Sequence, residues 1–116
     1  MPPDASGFEI IASTDDGMVR VAGEVDAATA DQIADAVAEV LDTRLEVVLD
    51  LSQVTYMDSS GLRALILCRQ AAEGRSARFE IGSTSPEVAR LLEITGLGET
   101  LLGGPSVRPD ALGEPG

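Results

Sequence analysis

One stretch constrains this chain more than any other: Glu46 to Gln70, EVVLDLSQVTYMDSSGLRALILCRQ. Val47-Val48-Leu49-Asp50-Leu51 is a short and almost continuous apolar run, the pattern of a strand buried on both faces. A short loop follows, and a helix opens at Asp58-Ser59-Ser60-Gly61. That helix carries Leu62, Leu65, Ile66, Leu67 and Ala71, too much apolar surface to stand alone. A hydroxyl pair therefore sits at a helix N-terminus, where unpaired N–H groups and a partial positive charge favour an anion. A serine there is a cap, a nucleophile or a phosphorylation target.

Absences narrow these roles. The chain has no His, no Lys and no Asn, so its eight basic residues are all Arg. Without His, no Ser-His-Asp triad forms within the chain. Without Lys, there is no Ser-Lys dyad, Schiff base or P-loop lysine. One cysteine, Cys68, excludes an internal disulfide and a thiolate-rich metal site, and its apolar neighbours make it a small core residue. The net charge of −12 argues against nucleic acid and against an anionic membrane surface. It suits a soluble domain, or one that meets a basic protein surface. No signal segment or membrane-length apolar run is visible, so a cytoplasmic location is expected.

The 116 residues suit one domain, and 44% hydrophobic residues suffice for its core, built from Val, Leu, Ile and Ala. Residues 1–7 read as a loose arm. Phe8 to Ser13 and Met18 to Ala22 alternate as two antiparallel strands around the hairpin turn Thr14-Asp15-Asp16-Gly17. Gly23-Glu24-Val25-Asp26 ends the second strand. A helix fits Thr29 to Leu41, with Thr29 and Gln32 spaced as a capping box. Ile33, Val37, Val40 and Leu41 line its inner face; Asp31, Asp35, Glu39 and Asp42 line its outer one. After the central strand and helix, a turn at Glu73-Gly74-Arg75-Ser76 leads to a strand over Ala77 to Ile81. Ser85-Pro86-Glu87 starts a third helix, with Val88, Leu91 and Leu92 inward, and Gly96-Leu97 closes it as a Schellman stop. A short last strand over 99–102 is an optional addition, and the Gly- and Pro-rich residues 103–116 read as a disordered tail. The order β-β-α-β-α-β-α, with or without that strand, implies an α/β fold. Its small mixed sheet has about four to five strands, with helices mainly on one face.

Catalysis is not expected. Asp58 beside two serines lacks a base of near-neutral pKa, and Glu24 with Asp26 reads better as turn or loop carboxylates. Asp26 and Asp58 do not have the spacing of a cation-binding loop, and no cofactor is implied. A cap explains one polar residue of Met57-Asp58-Ser59-Ser60-Gly61-Leu62, not the cluster. Gly61 costs about 1 kcal/mol against Ala in a helix, which points to another backbone approaching closely. Met57 and Leu62 then form an apolar rim around the hydroxyls, as in a docking surface with a modifiable centre.

Three blocks, in order, carry a resemblance: Gly23-Glu24-Val25-Asp26; Val48-Leu49-Asp50-Leu51 through Met57-Asp58-Ser59-Ser60-Gly61-Leu62; and Ser85-Pro86-Glu87-Val88 to Thr95-Gly96-Leu97. The chain resembles a STAS-domain anti-sigma factor antagonist over residues 8–102, the central block being the specific one. The resemblance implies a partner that is both an anti-sigma factor and a serine kinase, whose capture frees a sigma factor for RNA polymerase. It implies phosphorylation on the serine after the motif's Asp, here Ser59, with Ser60 the competing acceptor, and reversal by a serine phosphatase. The implied partner-binding residues are Gly23, Glu24, Asp26, Met57, Asp58, Ser59, Ser60, Gly61 and Leu62, on a monomer. Many relatives continue with a further helix, against which Pro105, Pro109 and Pro115 argue here. Other relatives are cytoplasmic STAS subunits of lipid-transport or stress-signalling complexes, an alternative that the intact Asp-Ser-Ser-Gly disfavours.

Overall fold

Alternation of apolar and polar residues sets the two edges of the chain's framework, and broken alternation sets its centre. A computed structural model describes residues 7–97. Strands β1 (Glu9–Ser13) and β2 (Met18–Val25) form the expected antiparallel hairpin, followed by α1 (Ala30–Leu41), β3 (Glu46–Met57), α2 (Ser59–Gly74), β4 (Arg78–Thr84) and α3 (Pro86–Thr95). The sheet order is β1-β2-β3-β4, and β3 runs parallel to both neighbours. This is the expected mixed α/β fold. Residues 1–6 of the expected arm, the strand over 99–102 and the tail over 103–116 lie outside the described residues.

One face of the sheet supplies the core. Val19, Val21 and Val25 of β2, Val47, Leu49 and Leu51 of β3, and Phe79 and Ile81 of β4 are buried with the inner faces of all three helices. On the other face, Arg20 pairs with Asp50 at 3.8 Å, and Arg78 lies between Glu46 and Glu80. The central strand is thus sealed on one side only, and the expectation of burial on both faces is corrected.

The largest difference from the sequence reading is the length of β3, which continues through Met57. Two register shifts against β2 explain it: Arg20 pairs with Asp50 but Ala22 with Gln53, and Gly23 pairs with Val54 but Glu24 with Tyr56. Each shift inserts an extra residue in β3, as bulges do. Strict alternation after Leu51 would turn polar Gln53 and Thr55 inward. The first bulge turns Val54 inward instead, and the second restores Met57 to the core. A period-two reading loses such a strand where its phase breaks. Likewise β2 extends past Ala22 to Val25, with Gly23 at a positive φ of 95°.

The helices follow their apolar periods. Ile33, Val37, Val40 and Leu41 of α1 are buried, and Asp31, Asp35, Glu39 and Asp42 face water, as expected. The inner face of α2 is Gly61, Leu62, Ala64, Leu65, Cys68 and Ala72; Leu67, expected inside, is exposed. That helix also runs through Gly74, so the turn is confined to Arg75, Ser76 and Ala77. Helix α3 ends in the expected Schellman geometry: Gly96 has φ 76°, the Leu97 N–H donates to the Leu92 carbonyl at 3.1 Å, and the Gly96 N–H donates to that of Glu93 at 3.3 Å.

Candidate functional site

Two of the motif blocks meet because β2 and β3 are parallel neighbours whose C-terminal ends coincide. Glu24 pairs with Tyr56 and Val25 with Met57, and the Asp58 N–H donates to the Val25 carbonyl at 3.2 Å. Residues 23–26 and 56–62 therefore share one end of the sheet. In open sheets with parallel strands, ligands and partners meet the carboxyl ends of the strands.

Helix α2 begins directly after β3, with Asp58 as the single joint. Asp58 has extended backbone (φ −108°, ψ −167°), and its Oδ1 accepts the Ser60 N–H at 2.9 Å. The Asp58 carbonyl accepts the N–H groups of Gly61 (3.0 Å) and Leu62 (3.3 Å). The cap is thus the carboxylate, and Ser59 is released from that task. Ser59 is the first helical residue, exposed, and its hydroxyl makes no hydrogen bond among the described residues. Ser60 is half-buried one residue further in.

The carboxylates of the neighbouring corner are held by local turn chemistry. The Asp26 carbonyl accepts the Ala30 N–H at 2.8 Å, and its Oδ1 accepts the Ala28 N–H at 3.0 Å. The Thr29 hydroxyl accepts the Asp26 N–H at 3.0 Å and donates to the Glu24 carbonyl at 3.2 Å. Thr29 consequently makes no side-chain cap on α1, contrary to the capping-box expectation, because its oxygen is committed backwards into the turn. Glu24 remains exposed at the rim.

Four residues expected to face a partner serve other ends. Met57 and Leu62 are only 6% and 7% exposed, so the anticipated apolar rim does not exist. Both side chains belong to the core and seat the first turn of α2. Gly61 is buried beneath them: a Cβ there would collide with the Met57 side chain and lie 3.0 Å from Val25 Cγ1. The close approach that requires glycine comes from the chain's own side chains, not from another backbone. A Cβ on Gly23 would run into the backbone of Gly7. What faces outward instead is Ser59, Glu24, Arg63, Thr55 and Tyr56. Tyr56, the chain's one tyrosine, is 50% exposed and was missed by sequence reasoning. Its place became legible only once β3 was seen to outrun β4, whose pairing ends at Leu51 and Thr84.

The site offers no strong nucleophile. Burial pushes the Cys68 thiol up to about 12, so it stays protonated inside the core. Among the described residues, no group of three or more His, Cys, Asp or Glu side chains is placed to hold a metal ion, and no helix is long and apolar enough to cross a membrane. The arrangement presents a hydroxyl on a helix N-terminus beside carboxylates on a rigid rim. Such an arrangement can accept a phosphoryl group or dock a protein surface.

Comparison with known proteins agrees in sequence and in fold. A family described as "Mlab, STAS domain" matches residues 10–103. An anti-sigma-B factor antagonist of Listeria monocytogenes is 37% identical over 90 residues, covering 76% of this chain and 78% of its own. The crystal structure of an anti-sigma factor antagonist from Mycobacterium paratuberculosis superposes with a TM-score of 0.71 at 28% identity, covering 84% of this chain and 86% of that one. The anti-sigma factor antagonist SpoIIAA, solved in an unphosphorylated and a phosphorylated form, shares the fold at TM-scores of 0.63 and 0.58, with 20% and 19% identity. The unphosphorylated form covers 82% of this chain and 85% of its own, and the phosphorylated form 82% and 88%. A seven-element order deduced from the residues, a matched domain over most of the chain and a relative above one-third identity converge: this chain belongs to the STAS-domain anti-sigma factor antagonist family.

Proposed function

We propose that the chain is an anti-sigma factor antagonist that binds an anti-sigma factor serine kinase and thereby frees a sigma factor. The kinase transfers a phosphoryl group to Ser59, which ends the binding, and a serine phosphatase restores it. One observation carries this reading: Asp58 takes the capping role, which leaves the neighbouring Ser59 hydroxyl exposed and without a hydrogen bond among the described residues. The existence of both phosphorylation states for SpoIIAA, a protein of the same fold, supports it. Ser60, half-buried and with its N–H held by Asp58, is the poorer acceptor.

The docking surface in this reading is Glu24, Asp26, Asp58, Ser59 and Ser60 with Thr55 and Tyr56. Met57, Gly61, Leu62 and Gly23 support it from beneath. Phosphorylation adds about −1.5 to −2 charges on a helix N-terminus, which that end tolerates. The domain keeps its fold, and binding fails through bulk and charge at the contact. Incubation with candidate anti-sigma kinases and ATP, with phosphate located by mass spectrometry, tests the acceptor. Calorimetry against the same kinase tests the switch, with Ser59→Asp expected to weaken binding. Phosphate on another residue rejects the acceptor, and unchanged affinity after full modification of Ser59 rejects the switch.

A further inference from the structure

Ser59 opens α2, and Arg63 stands four residues on. Side chains at that spacing share one helix face, with Cβ atoms about 5–6 Å apart, and an anion on the N-terminal side of a cation is the favourable order. Arg63 is exposed and makes no ion pair among the described residues. Four other arginines do: Arg20 with Asp50, Arg69 with Glu73, Arg75 with Asp42, and Arg78 with Glu46 and Glu80. Arg44 and Arg90 are likewise outside the ion pairs of the described residues, but of these three only Arg63 lies on the helix that Ser59 opens, in a chain of net charge −12 with Glu24, Asp26 and Asp58 at the same end of the sheet. One oxygen of the Asp58 carboxylate, Oδ1, accepts the Ser60 N–H at 2.9 Å.

We propose that Arg63 holds the phosphoryl group of phosphorylated Ser59 within the same chain. This rests on the reading of Ser59 as the acceptor. A guanidinium presents a planar fork of donors that matches phosphate oxygens two at a time, and charge-assisted bonds of this kind are about twice as strong as neutral ones. The unmodified serine gives Arg63 nothing to pair with. The modified one gives it a dianion on its own helix face. The phosphate is then drawn along the first turn of α2, and the phosphorylated state is stabilised by its own chain. Arg63 is a positioning residue for the mark, not a group that takes part in transfer.

The test uses the full chain with phosphoserine genetically encoded at position 59, in the parent, Arg63→Lys and Arg63→Gln backgrounds. The second ionisation of the phosphate, ordinarily near 6, is followed by phosphorus NMR at low salt. Glu24, Asp26, Asp58 and the phenol of Tyr56 are common to all three, so they cancel in the comparison. The parent value is expected to lie below that of Arg63→Gln by about 0.3 unit or more, with Arg63→Lys between. The gap is expected to shrink in high salt, since the pair is exposed. Equal values for parent and Arg63→Gln overturn the proposal, as does a gap indifferent to salt. Because phosphoserine is installed directly, the result stands apart from the kinase experiment. Absence of enzymatic phosphate on Ser59 would reject Ser59 as the natural acceptor, and equal phosphate titrations in parent and Arg63→Gln would reject the Arg63 clamp.

Discussion

Helices α2 and α3 both begin with serine and acid side chains at a strand end, yet their N-termini are built for opposite purposes. At α3, Ser85 is 4% exposed and its Oγ accepts the Val88 N–H at 3.3 Å. Pro86 occupies the first helical position and Glu87 the first turn, and the Ser85 N–H donates to the Leu51 carbonyl at 3.1 Å. The N–H, hydroxyl and carbonyl of Ser85 are all committed within the chain. At α2, Asp58 caps, the first turn carries no further acid, and Ser59 projects outward with its hydroxyl uncommitted among the described residues. A serine that caps is a structural part. A serine relieved of capping by its neighbour is available to a partner.

Substitutions at the two termini sharpen or break this contrast. Gly61→Val should have the largest effect. Its side chain would drive into Met57 and Val25, and overpacking of this kind costs about 1–3 kcal/mol, with the upper end expected at a fully buried position. Denaturant titration should show a lowered midpoint with an unchanged slope; a cost below about 0.5 kcal/mol would mean that Met57 swings aside freely and that glycine is not required here. Ser85→Ala comes next, at about 1–2 kcal/mol, because the Val88 N–H loses a buried acceptor. A drop of several degrees in Tm should report it.

Asp58→Ala should cost about 1 kcal/mol, since its carboxylate is half-exposed and water can partly replace it. Ser59→Ala should be smallest, within about 0.5 kcal/mol, as for a surface substitution away from structural features. Thermal melts of all four variants under one condition give the ranking. If Ser59→Ala matches Ser85→Ala, both serines are structural and the contrast fails. The Ser59→Ala protein should also remain unmodified by a kinase that labels the parent, which phosphate analysis checks directly.

Much of this was legible in the residues. The hairpin, the face of α1 and the Schellman stop each follow from a local rule that tertiary context did not overturn: Gly17 takes the positive φ that the hairpin turn needs, at 68°, and the apolar stripe of α1 packs where its period places it. The site was partly legible. The Asp-Ser-Ser-Gly run at a helix start is a local signal, and so is the strand before it. The reading failed where side-chain direction depends on more than local alternation. Met57 and Leu62 flank the hydroxyls in sequence, so they were expected around them in space. A strand end followed directly by a helix turns one flank inward on each side, and both point into the core.

The sequence by itself determined the element order, the helix cap at Ser85, and the exclusion of chemistry that needs His or Lys, because these depend on composition and on contacts within a few residues; that Asp58 rather than Ser59 caps α2 was decided by the structure. Only the tertiary structure decided that β3 runs on to Met57 through two bulges, that Gly61 is required by Met57 and Val25, and that Tyr56 and Arg63 face water. It also decided that Glu24 lies against Tyr56 and Asp58 against Val25. That juxtaposition depends on the register of two parallel strands more than thirty residues apart in the chain. Register is set by the summed burial of both strands against three helices, a quantity that no single stretch of sequence contains.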